Sequence, residues 1–437
     1  MTEGKPALKL WIVNHYAIPP SYGGLNRHFY FSRELKKKGV KTKIITSSKI
    51  HNSNINLIQD AELFREKMVD GVEYTFVKTG NYKGNGLKRI FSFIQFPVNV
   101  YRTMKRLSSE ELPDVIYASS PELFATWVAI KFAKRIKIPI VVEIRDLWPE
   151  SVVAYSRFTK NNPIIKALYR LEKWIYTKAD SLIFTFEGGI DYIKDKNWDV
   201  ERGGTVDLSK IHYLNNGVDF EEFQRNSNEF KVMDTALDSD NFKVVYTGSV
   251  RRVNSVHLIV EVAEQLNREA INDIVFIIYG DGTEKERLIN KCKDEGLTNI
   301  FFRDRIEKKY IPYILKKADA TIFVGEPDPM NKYGLSLNKL FDYMAAGKPV
   351  ISNIETKHDI ILKYGCGIVA TNGGKKEIRD AILSLRDMDK ASYSKMCDNA
   401  LKASKYFDYR HLTNILYDVL IKNKRGNKGN ETEQFIM

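Results

Sequence analysis

Cysteine is scarce: the 437 residues hold three, Cys292, Cys366 and Cys397, far apart and without paired metal-ligand spacing. That excludes a disulfide framework and a Cys-based structural zinc site, and it fits a reducing cytoplasm. No apolar run approaches the ~20 residues that a membrane-spanning helix needs. Residues 1–20 carry Glu3, Lys5 and Lys9 around a short apolar stretch with no small-residue cleavage site, so no secretory leader is expected. The seven histidines show no H-E-x-x-H or other metal spacing. Neither a Walker-type glycine loop nor a serine nucleophile elbow is found.

Acid is also in deficit, with 55 Asp+Glu against 68 Lys+Arg and a net charge of +13. Such a balance calls for an acidic partner: a phosphate-bearing small molecule, an anionic membrane or nucleic acid. Hydrophobic residues at 43% and charged residues at 28% exclude a disordered or fibrous chain. The length suits two or three domains, each able to bury a core.

Short β-rich runs alternate with amphipathic stretches, the pattern of βα units and parallel sheets. Leu8–Asn14 reads as a buried first strand. A loop through Gly23 and Gly24 follows, then a helix over Leu25–Lys38 ended by Gly39. Lys41–Thr46, Val115–Ala118, Ile140–Ile144 and Leu182–Phe186 read as further strands, with helices over Pro121–Lys134 and Ile164–Lys178. A second alternation has strands at Lys243–Thr247, Ile274–Tyr279, Ile300–Phe302, Thr321–Val324 and Pro349–Ser352. The expected architecture is α/β, two doubly wound Rossmann-like domains. The first spans 1–220 and the second 242–407, with 221–241 as a polar connector. A helix over 408–423 crosses back to the first domain, and 424–437 is expected to be a disordered tail. In such sheets ligands sit beyond the carboxyl ends of the strands.

The most informative segment is Tyr333–Ile351, YGLSLNKLFDYMAAGKPVI. It reads as a loop, a helix from about Leu337, a Gly347 cap and a strand opened by Pro349. A helix start preceded by Gly334 and Ser336 offers unpaired N–H groups to a phosphate. Asp342 lies four residues after Asn338, where its carboxylate could accept from ribose hydroxyls or simply face solvent. Gly248-Ser249-Val250-Arg251-Arg252 follows a strand, and its small residues allow close approach of a diphosphate. Arg251 and Arg252 carry guanidinium groups that match phosphate geometry, or else form a solvent-facing pair. Lys339 is a second candidate cation, or a solvated lysine at a helix start.

The segment resembles the nucleotide-sugar-binding motif of family 4 glycosyltransferases, and within them the bacterial polysaccharide and lipopolysaccharide amino-sugar transferases. Other elements agree in order over residues 8 to 420: the Gly23-Gly24 loop, Asp146-Leu147-Trp148-Pro149-Glu150-Ser151, Asn216-Gly217-Val218-Asp219, Tyr246-Thr247-Gly248 and Gly280-Asp281-Gly282. The resemblance implies the GT-B architecture, two facing Rossmann-like domains, with a UDP-sugar donor, retention of configuration, and neither cofactor nor metal. It implies donor contacts from Gly23, Gly24, Gly248, Ser249, Arg305, Ser336, Asn338, Lys339 and Asp342. Asp146, Arg251, Arg252 and Glu326 would act at the reacting centre, with Arg145 on the acceptor side. The family's paired glutamates fall on Gly334 and Asp342, so the first is missing, and Glu326 could replace it or be a solvated loop carboxylate. The family's Arg and Lys beside the diphosphate fall on Ser249 and near Asn254. Asp146 could orient an acceptor hydroxyl or cap the next helix. Arg305 could touch base or ribose, or pair with Asp304 or Glu307.

Lys88–Leu107 interleaves Phe91, Phe93, Phe96 and Tyr101 with cations, and Ile164–Lys178 adds Lys166, Arg170, Lys173 and Trp174. Aromatics among cations suit the headgroup region of an anionic membrane. The function expected is transfer of an N-acetylated amino sugar to a lipid-linked glycan of capsule or O-antigen. The location expected is the cytoplasmic face of the plasma membrane, peripherally bound. A nucleotide-sugar 2-epimerase would need acid/base carboxylates and histidines in the cleft. A nucleic-acid-binding protein would need a recognised motif, and none is present.

Overall fold

The computed structural model describes residues 8–23, 27–51, 53–81, 87–120, 123–371 and 373–433. The chain divides into one unit of residues 1–215 and 412–437 and another of residues 216–411.

The first unit is built on an eight-stranded sheet. Its strands in chain order are β1 (Lys9–Val13), β2 (Lys41–Ser47), β3 (Phe64–Val69), β4 (Val72–Val77), β5 (Val115–Ser119), β6 (Ile140–Ile144), β7 (Ser181–Phe184) and β8 (Ile211–Tyr213). In space they run β3-β4-β2-β1-β5-β6-β7-β8. All pairings are parallel except β3 with β4, a hairpin closed by Asp70 and Gly71, both at positive φ. Two left-handed residues are what a two-residue hairpin turn demands. β5, β6 and β7 are buried along their whole length, as strands covered on both faces must be.

The second unit carries six parallel strands: β9 (Phe242–Thr247), β10 (Ile274–Tyr279), β11 (Ile300–Arg303), β12 (Ala320–Phe323), β13 (Val350–Ser352) and β14 (Gly367–Val369). They run β11-β10-β9-β12-β13-β14. Alternate residues feed two cores. Val245, Ile277 and Phe323 pack with Phe341 and Met344, while Val244, Phe276 and Ile278 pack with Ile259 and Val262. Both units are therefore the doubly wound α/β type that the alternation predicts.

Three expectations need correction. Residues 221–241 are folded rather than a free connector: a helix covers Phe220–Glu229, and Phe223, Ala236 and Leu237 enter the second unit's core. Asp234 fixes this segment, accepting two bonds of 2.7 Å from the Arg303 guanidinium and one of 2.5 Å from Tyr279 Oη. The Arg303 bonds lead in lowering the Asp234 carboxyl to about 2. The expected tail is helical as far as Glu433, since the helix Tyr409–Glu433 runs on past Lys424, and residues 434–437 lie outside the described residues. It is seeded by Leu412, Leu416, Val419 and Leu420, all buried, and Lys424 pairs with Asp114 at 3.0 Å. Once a helix is nucleated, each polar residue extends it at small cost. Third, Phe96 is fully buried and stacks on His15 at 4.2 Å, so it is core and not a membrane contact.

Candidate functional site

In the second unit the loop after β9 is held by backbone bonds. Gly248 N donates to Tyr279 O at 3.0 Å and Val250 N to Asp281 O at 2.9 Å. The Gly280-Asp281-Gly282 turn is thus the floor beneath the Gly248 loop. A Cβ at Gly280 would lie 1.8 Å from Gly248 O, so only glycine permits this approach. Asn254 Nδ2 donates to Ser249 Oγ at 2.7 Å and to Ser249 O at 3.0 Å. The two positions where the family resemblance places cations are therefore neutral here and bonded to each other. Arg251 and Arg252 are exposed, with no partner among the described residues.

The helix Asn338–Ala345 meets this loop through two residues one turn apart. Tyr343 Oη accepts from Thr247 N at 2.9 Å and lies 3.3 Å from Ile322 O, which ties the helix to the ends of β9 and β12. Lys339 Nζ donates to Tyr246 Oη at 2.9 Å. Asn216 Nδ2 donates to Ser336 O at 2.8 Å, holding the approach to the helix. Asn338 is exposed. Asp342 points elsewhere than Lys339: the charges that reach it are Lys308 and Glu222. Its carboxyl has no hydrogen-bond partner among the described residues, and burial raises it above the ordinary carboxylate range, with Lys308 opposing. Gly334, at the position of the missing glutamate, holds φ +107, a conformation strained for any other residue.

Glu326, after β12, is mostly exposed and pairs with His257 Nε2 at 3.1 Å, so it is not a free loop carboxylate. Arg305 is exposed and pairs with neither expected acid: Asp304 bonds Lys285 at 2.7 Å and Glu307 bonds Lys309 at 3.1 Å. Arg303, two residues earlier, makes the partly buried ion pair with Asp234 instead.

In the first unit Gly23 closes the turn Pro20–Tyr22 with its N–H on Pro20 O at 2.8 Å, while Gly24 lies outside the described residues. Asp146 does not cap the following helix Glu150–Tyr155, which starts from Pro149 without a side-chain cap. It is an exposed residue, without a hydrogen-bond partner for its carboxylate among the described residues. Arg145 N donates to Ser120 Oγ at 2.9 Å, fixing the chain as it leaves β6.

Beside that exit lies a polar cluster that the sequence reading missed. Arg27 Nε and Nη2 bind Glu143 Oε2 at 2.8 and 2.7 Å, and both side chains are almost wholly buried. Ser119 Oγ donates to Glu143 Oε1 at 2.7 Å, and Tyr117 Oη donates to Oε2. Burial alone would raise Glu143, but the Arg27 charge and the His28 contact outweigh it and hold it well below the usual range. Arg27 also donates to Leu214 O at 2.7 Å and to Asn215 O, the last residues of this unit's main segment. One signal pointed there: an acid within IVVEI, a strand otherwise apolar.

On the helix Leu87–Glu110, Phe91, Ile94 and Val98 are exposed, and Arg102, Lys105 and Arg106 continue along the outside. Phe93 is half-buried against the His15 edge. Trp174 lines a groove of about 460 Å³ with Lys131, Lys134 and Lys178.

Comparison with known proteins agrees with these features. A family model for glycosyl transferases group 1 matches residues 227–403, and one for a glycosyl transferase 4-like domain matches residues 23–206. Anabaena HepE, solved in complex with UDP, is 14% identical with a TM-score of 0.63, over 95% of this chain and all of that one. Sucrose-phosphate synthase from Thermosynechococcus elongatus is 14% identical with a TM-score of 0.71, over 95% and 98%. At these identities the likeness shows the fold, which is GT-B. The Bacillus subtilis (strain 168) protein TuaH, inferred to be a teichuronic acid biosynthesis glycosyltransferase, is 24% identical over 217 residues. That match covers 48% of this chain and 49% of TuaH, so the chain spans about half the length of the curated relative. With both halves matched, the chain belongs to the family 4 glycosyltransferases.

Proposed function

We propose that the protein transfers a sugar from a UDP-sugar to a lipid-linked glycan in bacterial polysaccharide synthesis, with retention of configuration and without a metal ion. The observation that carries this reading is the meeting of the Gly248 loop with the start of the helix Asn338–Ala345. It gathers backbone N–H groups, Lys339 and the nearby Arg251 and Arg252 on one edge of the second sheet. Such an arrangement suits a diphosphate, whose departure the cations and the helix N-terminus would stabilise. Asp342 would take the ribose and Arg305 the base side. UDP bound in the HepE structure supports a uridine nucleotide. The amino-sugar signature around Asn338–Ile351 supports an N-acetylated amino sugar.

Asp146, on the first unit, would orient the acceptor hydroxyl beside Arg145. Polysaccharide synthesis is supported by the likeness to TuaH. A bilayer-bound acceptor, of capsule or O-antigen type, is supported by the outer face of Leu87–Glu110. Its apolar residues Phe91, Ile94 and Val98 would enter the headgroup region while Arg102, Lys105 and Arg106 meet anionic lipid at the cytoplasmic face. No helix among the described residues is long and apolar enough to cross a membrane.

The test is ligand-induced thermal stabilisation with UDP, ADP and GDP, followed by a panel of UDP-sugars. At 100 times its Kd a ligand adds about 2.7 kcal/mol to stability. UDP should raise Tm well above ADP, and UDP-N-acetylhexosamines above UDP-glucose. Equal shifts from all three diphosphates would remove the uridine assignment, and no shift from any would remove the donor site.

A further inference from the structure

We propose that Lys339 is the residue that receives the donor diphosphate, and that it picks up a proton as the nucleotide binds. The inference rests on the donor-site reading above and deepens it.

The geometry is specific. Lys339 Nζ stands 4.2 Å from the centroid of the Tyr246 ring. It donates to Tyr246 Oη at 2.9 Å, and that hydroxyl in turn donates to Ser249 O at 2.9 Å. A Cβ at Gly248 would lie 2.9 Å from Nζ, so the amine rests against the loop backbone itself. Among the described residues no carboxylate pairs with it. Glu326 is engaged by His257 and Asp304 by Lys285. When charged, this amine has further protons to give beside a loop whose Ser249 and Asn254 side chains are neutral. An anion seated against that loop backbone would lie within reach of this amine.

The state of the empty amine follows from its surroundings. Lost hydration brings it down to about 7, and no charged group contributes. The titratable groups facing it are Tyr246 on β9 and Tyr343 on its own helix, and burial pushes both phenols far up, so they stay neutral. Above pH 7 the empty site therefore holds mostly neutral amine. A bound diphosphate favours the ammonium, so binding consumes a proton and affinity falls as pH rises. The fall approaches tenfold per pH unit between the empty and occupied values.

The test is isothermal titration of the full chain with UDP at pH 8.5 in two buffers of different ionisation heat. At that pH the UDP phosphates are fully ionised and contribute no proton of their own. The parent should take up about one proton per UDP, and its Kd should rise severalfold to tenfold from pH 7.5 to 8.5. Lys339→Met should weaken UDP binding at pH 7 at least tenfold and lose the uptake, while His257→Gln should keep it. UDP binding without proton uptake, uptake retained in Lys339→Met, or uptake lost in His257→Gln would overturn the Lys339 proposal and leave the donor site standing. No UDP binding by the parent at any pH would remove the donor-site reading and this one with it.

Discussion

Replacing Arg27 by Met should destabilise the first unit, and by an amount that depends on pH. The substitution removes two charged bonds to Glu143 Oε2 and strands the carbonyls of Leu214 and Asn215, in a site where both partners are almost wholly buried. Breaking one side of a buried ion pair costs about 3–5 kcal/mol, because the other charge is left uncompensated. The two stranded carbonyls place the expected loss at about 5 kcal/mol near pH 7.5, a large part of a unit's whole stability. In the parent, Glu143 is held low, so its stabilisation is present above the ordinary carboxylate value and lost as pH falls. In the variant, burial without Arg27 raises Glu143, so the folded state binds a proton that the unfolded state releases. Stability of the variant then falls as pH rises, by up to about 1.4 kcal/mol per unit. The difference from the parent should therefore shrink by up to about 2.7 kcal/mol between pH 7.5 and pH 5.5. Arg27→Met/Glu143→Gln should recover more than half of the loss, since no charge is left behind. The assay is urea unfolding followed by tryptophan emission. All five tryptophans, Trp11, Trp127, Trp148, Trp174 and Trp198, lie in the first unit, so the signal reports on it alone. A cost under about 1 kcal/mol, or one equal at both pH values, would refute the charged pair.

The remaining tests are shorter. Glu172, buried with both oxygens accepting from Tyr176 and Tyr192 hydroxyls, is raised by burial to about 8. The folded state thus binds its proton between the ordinary carboxylate value and about 8, and stability falls with rising pH through that window. Glu172→Gln should be near neutral at pH 5 and stabilise by about 3–5 kcal/mol at pH 8, read from the same tryptophan signal. Asp342→Ala should weaken UDP by roughly 1.5–3 kcal/mol in a titration while leaving Tm within a few degrees, and unchanged affinity would remove it from the site. Arg251→Gln/Arg252→Gln should lower the single-turnover rate at saturating donor tenfold or more, and a parent-like rate would leave the leaving-group charge to Lys339 alone. Phe91→Ser/Ile94→Ser/Val98→Ser should abolish the salt-resistant part of binding to anionic vesicles in a folded protein, and unchanged binding would move the anchor to the Trp174 groove.

The strands that position the site were legible because they are short apolar runs set between loops. Ile140–Ile144 and Ile274–Tyr279 form with the bounds their composition predicts. β3 was missed because Phe64–Val69 is a polar edge strand with Met68 largely exposed, and β8 and β14 are three residues long and only partly buried. The Gly248 loop and the helix start carrying Lys339 could be named from sequence, but not that Lys339 and Asp342 face different sides of that helix. The polar clusters lay beyond reach for another reason. Arg27 and Glu143 are 116 positions apart, and Asp234 and Arg303 are 69 apart, so no local spacing joins them. A lone acid in IVVEI says that a partner exists without saying where.

The turn at Gly280 has a consequence for how this molecule can diversify. Because its backbone presses on Gly248 O with no room for a Cβ, the floor of the loop is packed chain on chain at Gly280 and admits no side chain there. Arg251, Arg252, Arg305 and Glu326 stand at the rim, exposed and outside either core, where exchange disturbs little packing. On the donor-site reading proposed above, side chains at the rim can be exchanged in a directed-evolution library without moving the backbone floor. The selective history of the site should then show two kinds of constraint, backbone packing at position 280 and, at Arg251 and Arg252, only the proposed contact with the diphosphate.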